Sequence, residues 1–298
     1  MANTFTTSGS DPSVIGVYPE EWATKLQERL DKPTNWKECC DVVYSDSQFF
    51  NLPYMSTEFV IQTGTRGSAY GFSDFTLTND QLRINTYKPV PVFIDRADLA
   101  QCQLVTQMDI ADRQGSIVNE QLETAFLADH ASWTNFGDTG GGALGLAATQ
   151  IAVSATNIDD IVSGVVREVI IANGRDLANK YGIGFVWRPA DFEKLEKFLQ
   201  ANGFNLADAT LKNGILTERG YFALGAYHYV SNSHASGGHV FAGVRKIETI
   251  GILKSTYGQI IVTQDPNLQS GIGIISRVDY GLNVKAGLAT TVFDVNVV

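Results

Sequence analysis

The stretch Ile94 to Ser132 reads IDRADLAQCQLVTQMDIADRQGSIVNEQLETAFLADHAS. Leu99, Cys102, Val105, Met108, Ala111, Gly115, Val118, Leu122 and Phe126 step by three or four residues. That period lays one apolar stripe along a helix. It predicts a helix from about Arg96 to about Ser132. At 1.5 Å per residue such a helix runs on the order of 50 Å, about three times the average length. Asp95 is placed as N-cap, Asp98 stands three residues on, and Ile94 and Leu99 are set as a hydrophobic staple. Gly115 costs roughly 1 kcal/mol inside a helix, so it marks a bend or the close approach of another backbone. A helix this long is a spine, and the rest of the chain is arranged around it.

Upstream, residues 1–55 read as an arm. Residues 1–18 are rich in Ser, Thr and Gly. Pro19 to Leu30 is predicted as a short helix, with Trp22, Leu26 and Leu30 four apart. The apolar patch Phe49–Tyr54 closes the arm. Residues 56–93 carry β-rich runs (Phe59–Ile61, Phe75–Leu77, Leu82–Ile84) separated by Gly and by Thr78-Asn79-Asp80. This is hairpin chemistry with too few apolar positions for its own core, so it predicts a projecting two-stranded loop. Pro89 and Pro91 are expected to end its strands.

Downstream, Asn135 to Gly142 reads as a linker. It lacks the Gly-Lys-Ser/Thr that a phosphate-binding loop requires. Thr156 to Asp159 has a capping-box pattern, followed by Ile158, Ile161, Val162, Val165, Val169 and Ile170 as a buried helix face, with Asn173-Gly174 as its stop. Ile183–Trp187 reads as a buried strand. Pro189 opens another helix, with Phe192, Leu195, Phe198 and Leu199 inward and Asn202-Gly203 at its end. Short strands follow at Tyr221–Leu224, Ile247–Leu253, Gln259–Val262, Ile272–Ser276 and Thr291–Val297. The order of hairpin, long helix, mixed segment and strands predicts an α+β protein.

The bulk numbers exclude several classes. With 298 residues, 44% hydrophobic and 18% charged, the chain can bury a substantial core. No apolar run approaches the roughly 20 residues of a membrane span. The N-terminus shows neither the basic flank nor the apolar stretch of a secretory signal, so synthesis in the cytoplasm is expected. The three cysteines, Cys39, Cys40 and Cys102, have no CxxC spacing and read as buried thiols. The net charge of −10, with no dense Lys/Arg cluster, argues against direct nucleic-acid binding. An acidic wall can still enclose DNA, because like charge keeps the polymer from sticking.

No GxSxG, HExxH, Walker A or dinucleotide fingerprint occurs, so no catalytic or cofactor-binding residue is assigned. His228, His234 and His239 lie within twelve residues, and three imidazoles so close raise a metal-dependent enzyme as an alternative. Their flanks read as loops, and no nearby Cys, Asp or Glu completes a ligand set. Histidines exposed at a subunit contact are the plainer reading, and no metal is assigned.

The ordered set of pieces resembles the major capsid proteins of tailed bacteriophages, with the Hong-Kong-97-type fold. The phrase Phe185-Val186-Trp187-Arg188-Pro189-Ala190-Asp191-Phe192-Glu193-Lys194-Leu195 is similar to that family's strand–Pro–helix segment, and Gly281-Leu282-Asn283-Val284 to its returning strands. The resemblance implies an N-terminal arm (1–55), an extended loop (56–93), a peripheral domain with the spine helix (94–145), an axial domain (146–270) and strands returning to the peripheral domain (271–298). It implies a non-enzymatic coat protein that forms hexamers and pentamers of an icosahedral virion shell around double-stranded DNA, made in the host bacterial cytoplasm. Trp22, Arg66, Tyr70, Phe72 and Arg83 are the expected inter-subunit contacts. About fifty residues precede the hairpin, fewer than a fused scaffolding segment needs, so a separate scaffolding protein is expected, with decoration and portal proteins as further partners. No Lys lies between Lys37 and Lys88, so loop-lysine crosslinking is not expected. An encapsulin-type compartment shares the fold and is the alternative shell.

Overall fold

The computed structural model describes residues 34–56, 61, 63–67, 69, 71, 75–95, 107–137, 144–146, 149–202, 221–234, 238–263 and 271–298. The predicted helix at Pro19–Leu30, with Trp22, lies outside them, as do Cys102, Tyr70, Phe72 and the stretch 96–106 expected to begin the spine helix. The described chain is α+β, built on two larger sheets and one hairpin.

The spine helix, α2, covers Gln107–Ala128, and a 3-10 turn follows at Asp129–Ser132. Its inner face is Ile110, Gln114, Val118, Leu122 and Phe126, a strict four-residue repeat. Gly115 points outward, and a Cβ there would meet nothing within 4 Å. The expected close approach of backbone at Gly115 is therefore absent among the described residues; Gln114 takes the inner position. Its Nε2 donates to the carbonyls of Val90 and Ile274, at 2.7 and 3.0 Å, which ties the helix to two strands.

Those strands belong to a five-stranded sheet. It contains β1 (Asp41–Ser45), β4 (Thr86–Asp95), β10 (Glu248–Leu253), β11 (Ile260–Thr263) and β12 (Gly271–Val284). The fourteen-residue β12 is the hub. β4 runs antiparallel along one edge, and β10 and β11 lie end to end along the other. Pro89 and Pro91 do not end a strand; β4 runs through both. Among the described residues β12 is its one partner, and prolines two apart lose their N–H groups on the same side, so the ladder survives on the other.

β2 (Phe49–Met55) and β3 (Leu77–Arg83) form the hairpin. It begins at Phe49 rather than Met55, so the patch read as closing the arm is its first strand. Ile61 is not in a strand, and Phe59 lies outside the described residues.

The six-stranded sheet has the order β5 (Thr134–Phe136), β13 (Val292–Asn296), β9 (His239–Val244), β6 (Ile183–Trp187), β8 (Ala226–Val230) and β7 (Tyr221–Ala223). β6 and β13 are buried at every residue, as expected of strands covered on both faces. Helices α3 (Ile158–Ile171), α4 (Arg175–Tyr181) and α5 (Pro189–Ala201) accompany this sheet. α3 ends as read, by a Schellman pattern: Asn173 adopts φ 57°, Asn173 N bonds Ile170 O, and Gly174 N bonds Val169 O. Its start differs. The Asn157 side chain accepts from Ser154 N and donates to Ala152 O, so it holds the incoming chain instead of forming a capping box. Ile170 is half exposed, not part of the buried face.

The sheets draw on distant parts of the chain. β10 and β11 pair with β12, while β13 lies between β5 and β9 in the other sheet. Backbone pairing joins segments that lie far apart in sequence, and no composition change marks it.

Candidate assembly surface and side-chain clusters

The hairpin has two unlike faces. Its inner residues alternate with exposed ones along both strands, as the pleat requires. Leu82 is fully buried and sits on Gly251, while the Arg83 and Ile84 backbone lies over its ladder partner Gly281, so a side chain at either glycine would collide with the end of the hairpin. Asp80 accepts from Asn283 Nδ2 at 2.8 Å and from Ala286 N at 3.0 Å, which anchors the hairpin to the C-terminal end of β12. The base of the loop therefore lies on the body instead of projecting freely. On the outer face, Phe49, Met55 and Leu77 are exposed, and Phe75 and Ile61 extend the apolar surface toward the tip. Arg66 is exposed near the tip. Arg83 is engaged within the hairpin, its guanidinium 5.8 Å from the Phe49 ring and its Nε donating to Gln81 at 3.0 Å.

The exit of the arm is fastened to the spine helix. α1 is the single turn Trp36–Cys39. Glu123 Oε2 accepts from Asn35 N at 2.9 Å and Trp36 N at 2.8 Å, donors that a helix start leaves orphaned. Burial pushes the Glu123 carboxyl up, and these backbone donors oppose the shift. Glu123 falls between the positions of the apolar stripe, and its role gave no signal in the period. Cys39 and Cys40 are free and buried, as read, and burial raises both thiols well above their ordinary value. A thiol held protonated is a poor nucleophile.

The three histidines do not converge. His228 is a buried strand residue of β8, not a loop histidine. Trp187 Nε1 donates to its Nδ1 at 2.9 Å, and its Nε2 faces Ala223 O at 3.0 Å. Both nitrogens are committed in one neutral tautomer, and burial lowers its pKa to about 4. His234 Nδ1 donates to the His239 carbonyl at 3.0 Å. His239 opens β9, and its Nδ1 lies 3.0 and 2.9 Å from the carboxylate oxygens of Asp294. The expectation that no acid stands near these histidines is thus corrected. Asp294 is fifty-five residues away in sequence and one strand away in space. His130, from the 3-10 turn after the spine helix, completes the group, with Nδ1 3.6 Å from Asp294 and its ring stacked on His239 at 3.7 Å.

A second outward surface lies beside α3 and α4. A cavity of about 550 Å³ is lined by Ile170, Tyr181, Phe222, Tyr227 and Arg245, among others. Phe222 meets Tyr227 edge to face at 5.0 Å, and the Arg245 guanidinium lies 4.0 Å from the Tyr227 ring. No described helix is long and apolar enough to cross a membrane.

Comparison with solved structures gives the class of fold. A chain from Mycobacterium phage Che8 is similar over 95% of this chain and 98% of its own, with TM-score 0.67 and 17% identity. The mature capsid of bacteriophage PhiM1 matches over 97% and 94%, with TM-score 0.63 and 13% identity. The capsid of Ralstonia phage GP4 matches over 99% and 98%, with TM-score 0.61 and 9% identity. The chain has the fold of phage capsid subunits, as its sequence order implied. No protein-family model matches the sequence, and no curated protein does.

Proposed function

We propose that this chain is the major coat subunit of a tailed-phage head, forming hexamers and pentamers of a closed shell around double-stranded DNA. The observation that carries this reading is fold likeness to capsid chains over 94 to 99% of both partners. The exposed outer face of the hairpin supports it, since a ribbon with one face on its own body and apolar residues on the other has surface left for a neighbour. On this reading the five-stranded sheet, spine helix and hairpin form the peripheral part. The six-stranded sheet with α3 to α5 forms the axial part. Arg66, Tyr70, Phe72, Arg83 and, in the arm, Trp22 are assigned to inter-subunit contacts, with Arg83 also bracing the outer face of the hairpin. The subunit acts by binding copies of itself and not by catalysis, and its place is the virion. The net charge of −10 suits a wall that packaged DNA does not adhere to.

The test is expression with the scaffolding protein from the same phage, followed by electron microscopy. Closed particles built of capsomers are expected. Monodisperse monomers under those conditions refute the proposal. Particles that retain an enzyme cargo and never package DNA would instead assign the encapsulin class.

A further inference from the structure

We propose that His130, His239 and Asp294 form a binding site for a divalent transition-metal ion of the zinc class. Their ligand atoms all lie within 4.8 Å of one another, and they come from three separate segments. The fold builds this placement. In the ladder, Asp294 pairs with Phe241 and His239 pairs with Asn296, so His239 and Asp294 are diagonal neighbours on one face of the sheet. Phe241 shares that face and packs on Phe126 and Trp133, at 5.0 Å from each. These two aromatics bracket the 3-10 turn, which sets His130 over the strand pair. Trp133 N bonds His130 O at 3.2 Å, and Ser132 Oγ donates to Asp129 at 3.0 Å, fixing the turn.

The chemistry selects the ion. Two imidazoles and one carboxylate suit zinc, cobalt or nickel, whereas calcium and magnesium prefer all-oxygen sets. The Asp294 side chain is 2% exposed, and its ion-pair partners among the described residues are the two imidazoles. A divalent cation neutralises this buried carboxylate more fully than one shared proton can. The imidazoles are 26% and 22% exposed, which gives the ion a path in and leaves a coordination position for water. The stacked rings, 11° from parallel, describe the empty state. A cation between parallel rings would lie off both lone-pair axes. Binding therefore rotates the His130 ring about its side-chain torsions and moves the His239 proton from Nδ1 to Nε2. The occupied site would tie the end of the spine helix to β9 and β13.

The experiment uses the full chain, stripped with a chelator and dialysed. Cobalt(II) is titrated while visible absorption and stoichiometry are followed, and zinc is then tested by thermal unfolding. One cobalt per chain, with ligand-field bands, is expected. His130→Gln and His239→Gln should each weaken binding at least about 10-fold. Zinc at 100 times its dissociation constant should raise the folded-to-unfolded ratio about 100-fold in the native sequence and not in the variants. His228→Gln, outside the cluster, should bind as the native chain does. Asp294→Asn serves as a third variant, with circular dichroism to confirm that each is folded. The proposal is overturned by no stoichiometric cobalt at about millimolar metal, or by cobalt binding that both histidine variants leave unchanged.

Discussion

Gly281→Ala should lift the hairpin off the body of the subunit. Gly281 faces Gly251 across the β10–β12 ladder, and the end of β3 lies directly on the pair. A Cβ at 281 would stand 2.7 Å from the Arg83 carbonyl carbon and 3.2 Å from Ile84 Cα, with the Arg83 carbonyl oxygen closer still. Carbon atoms need about 3.5 to 4.0 Å, so β3 must move on the order of 1 Å. The obstacle is backbone, which cannot turn aside as a side-chain tip can. A gap of that size forfeits a quarter to a half of the dispersion contact beneath Leu82 and Ile84. It also strains the Asp80 bonds to Asn283 and Ala286, each contributing about 1 kcal/mol. With an overpacking cost of about 1–3 kcal/mol, the expected loss is on the order of 3 kcal/mol. Since 1 kcal/mol shifts the midpoint by about 2–4 °C in larger domains, the midpoint should fall by roughly 6–12 °C. Calorimetry of the subunit and electron microscopy of assembled particles would read the two consequences, with Gly115→Ala as control. The site at 115 is open, so that change should raise stability by about 1 kcal/mol. A Gly281→Ala subunit with an unchanged midpoint and normal particles would show that the hairpin is not seated by this glycine pair.

Leu122→Asp should abolish soluble subunit, because an unpaired charge in the core costs several kcal/mol; Arg66→Glu, at an exposed loop position, should leave the midpoint unchanged and reduce particle yield. Equal behaviour of the two in a solubility assay and in sedimentation would refute the division between core helix and contact loop. Glu123→Ala strands two buried N–H donors and should cost on the order of 3 kcal/mol, while Glu123→Gln keeps an acceptor and should lose less than half of that; limited proteolysis near Asn35 reports the release of the arm. Glu248 is fully buried with its carboxyl pushed well above 4.5, first by desolvation and then by Asp129, so the folded state keeps a proton that the unfolded state has given up. Stability should therefore fall as pH rises above the ordinary carboxylate range, and Glu248→Gln should flatten that slope in thermal scans; a native profile as flat as the variant's would exclude the effect. Gln114→Leu keeps the volume but drops both bonds to β4 and β12; a loss of about 2 kcal/mol and a broader distribution of particle diameters are expected, and an unchanged distribution argues against a positioning role.

The order of elements was legible because each carried a local signal. Val118, Leu122 and Phe126 keep helical period, Ile183–Trp187 is a continuous buried run, and Pro189 and Asn173-Gly174 punctuate helices where they stand. What stayed hidden depends on pairing across the chain. β1, β8 and β9 are short runs of Val, Tyr and Phe among polar and Gly residues, too short to declare themselves, and partners at Thr249, Phe185 and Asp294 make them strands. The His239–Asp294 contact had no local signature, because a diagonal neighbour in a ladder can lie anywhere in the sequence. The one available hint was an Asp inside the apolar run Val292–Val297, since a buried strand tolerates a charge only with a partner. Gln114 and Glu123 were invisible for a similar reason. Each is a polar residue next to an apolar stripe, and the period averages it away.

Those two residues explain how a helix with one greasy face holds a fixed angle. Apolar burial is non-directional, so Val118, Leu122 and Phe126 could be buried at several rotations of the spine helix. Gln114 bonds carbonyls on both β4 and β12, and Glu123, nine residues on and so on the opposite side of the helix, bonds the start of α1. Two directional anchors about two and a half turns apart fix both rotation and slide. Each anchor is directional as well as stabilising, so it adds specificity that apolar burial alone lacks. A monomeric enzyme could tolerate a few degrees of slack in such a helix. In a closed shell the same angular error recurs at every subunit, and the particle closes only if the error is small. On the proposed function, placing such groups on the spine, where Gln114 holds the strands that carry the hairpin and Glu123 holds the start of α1, suits a subunit that must repeat one geometry.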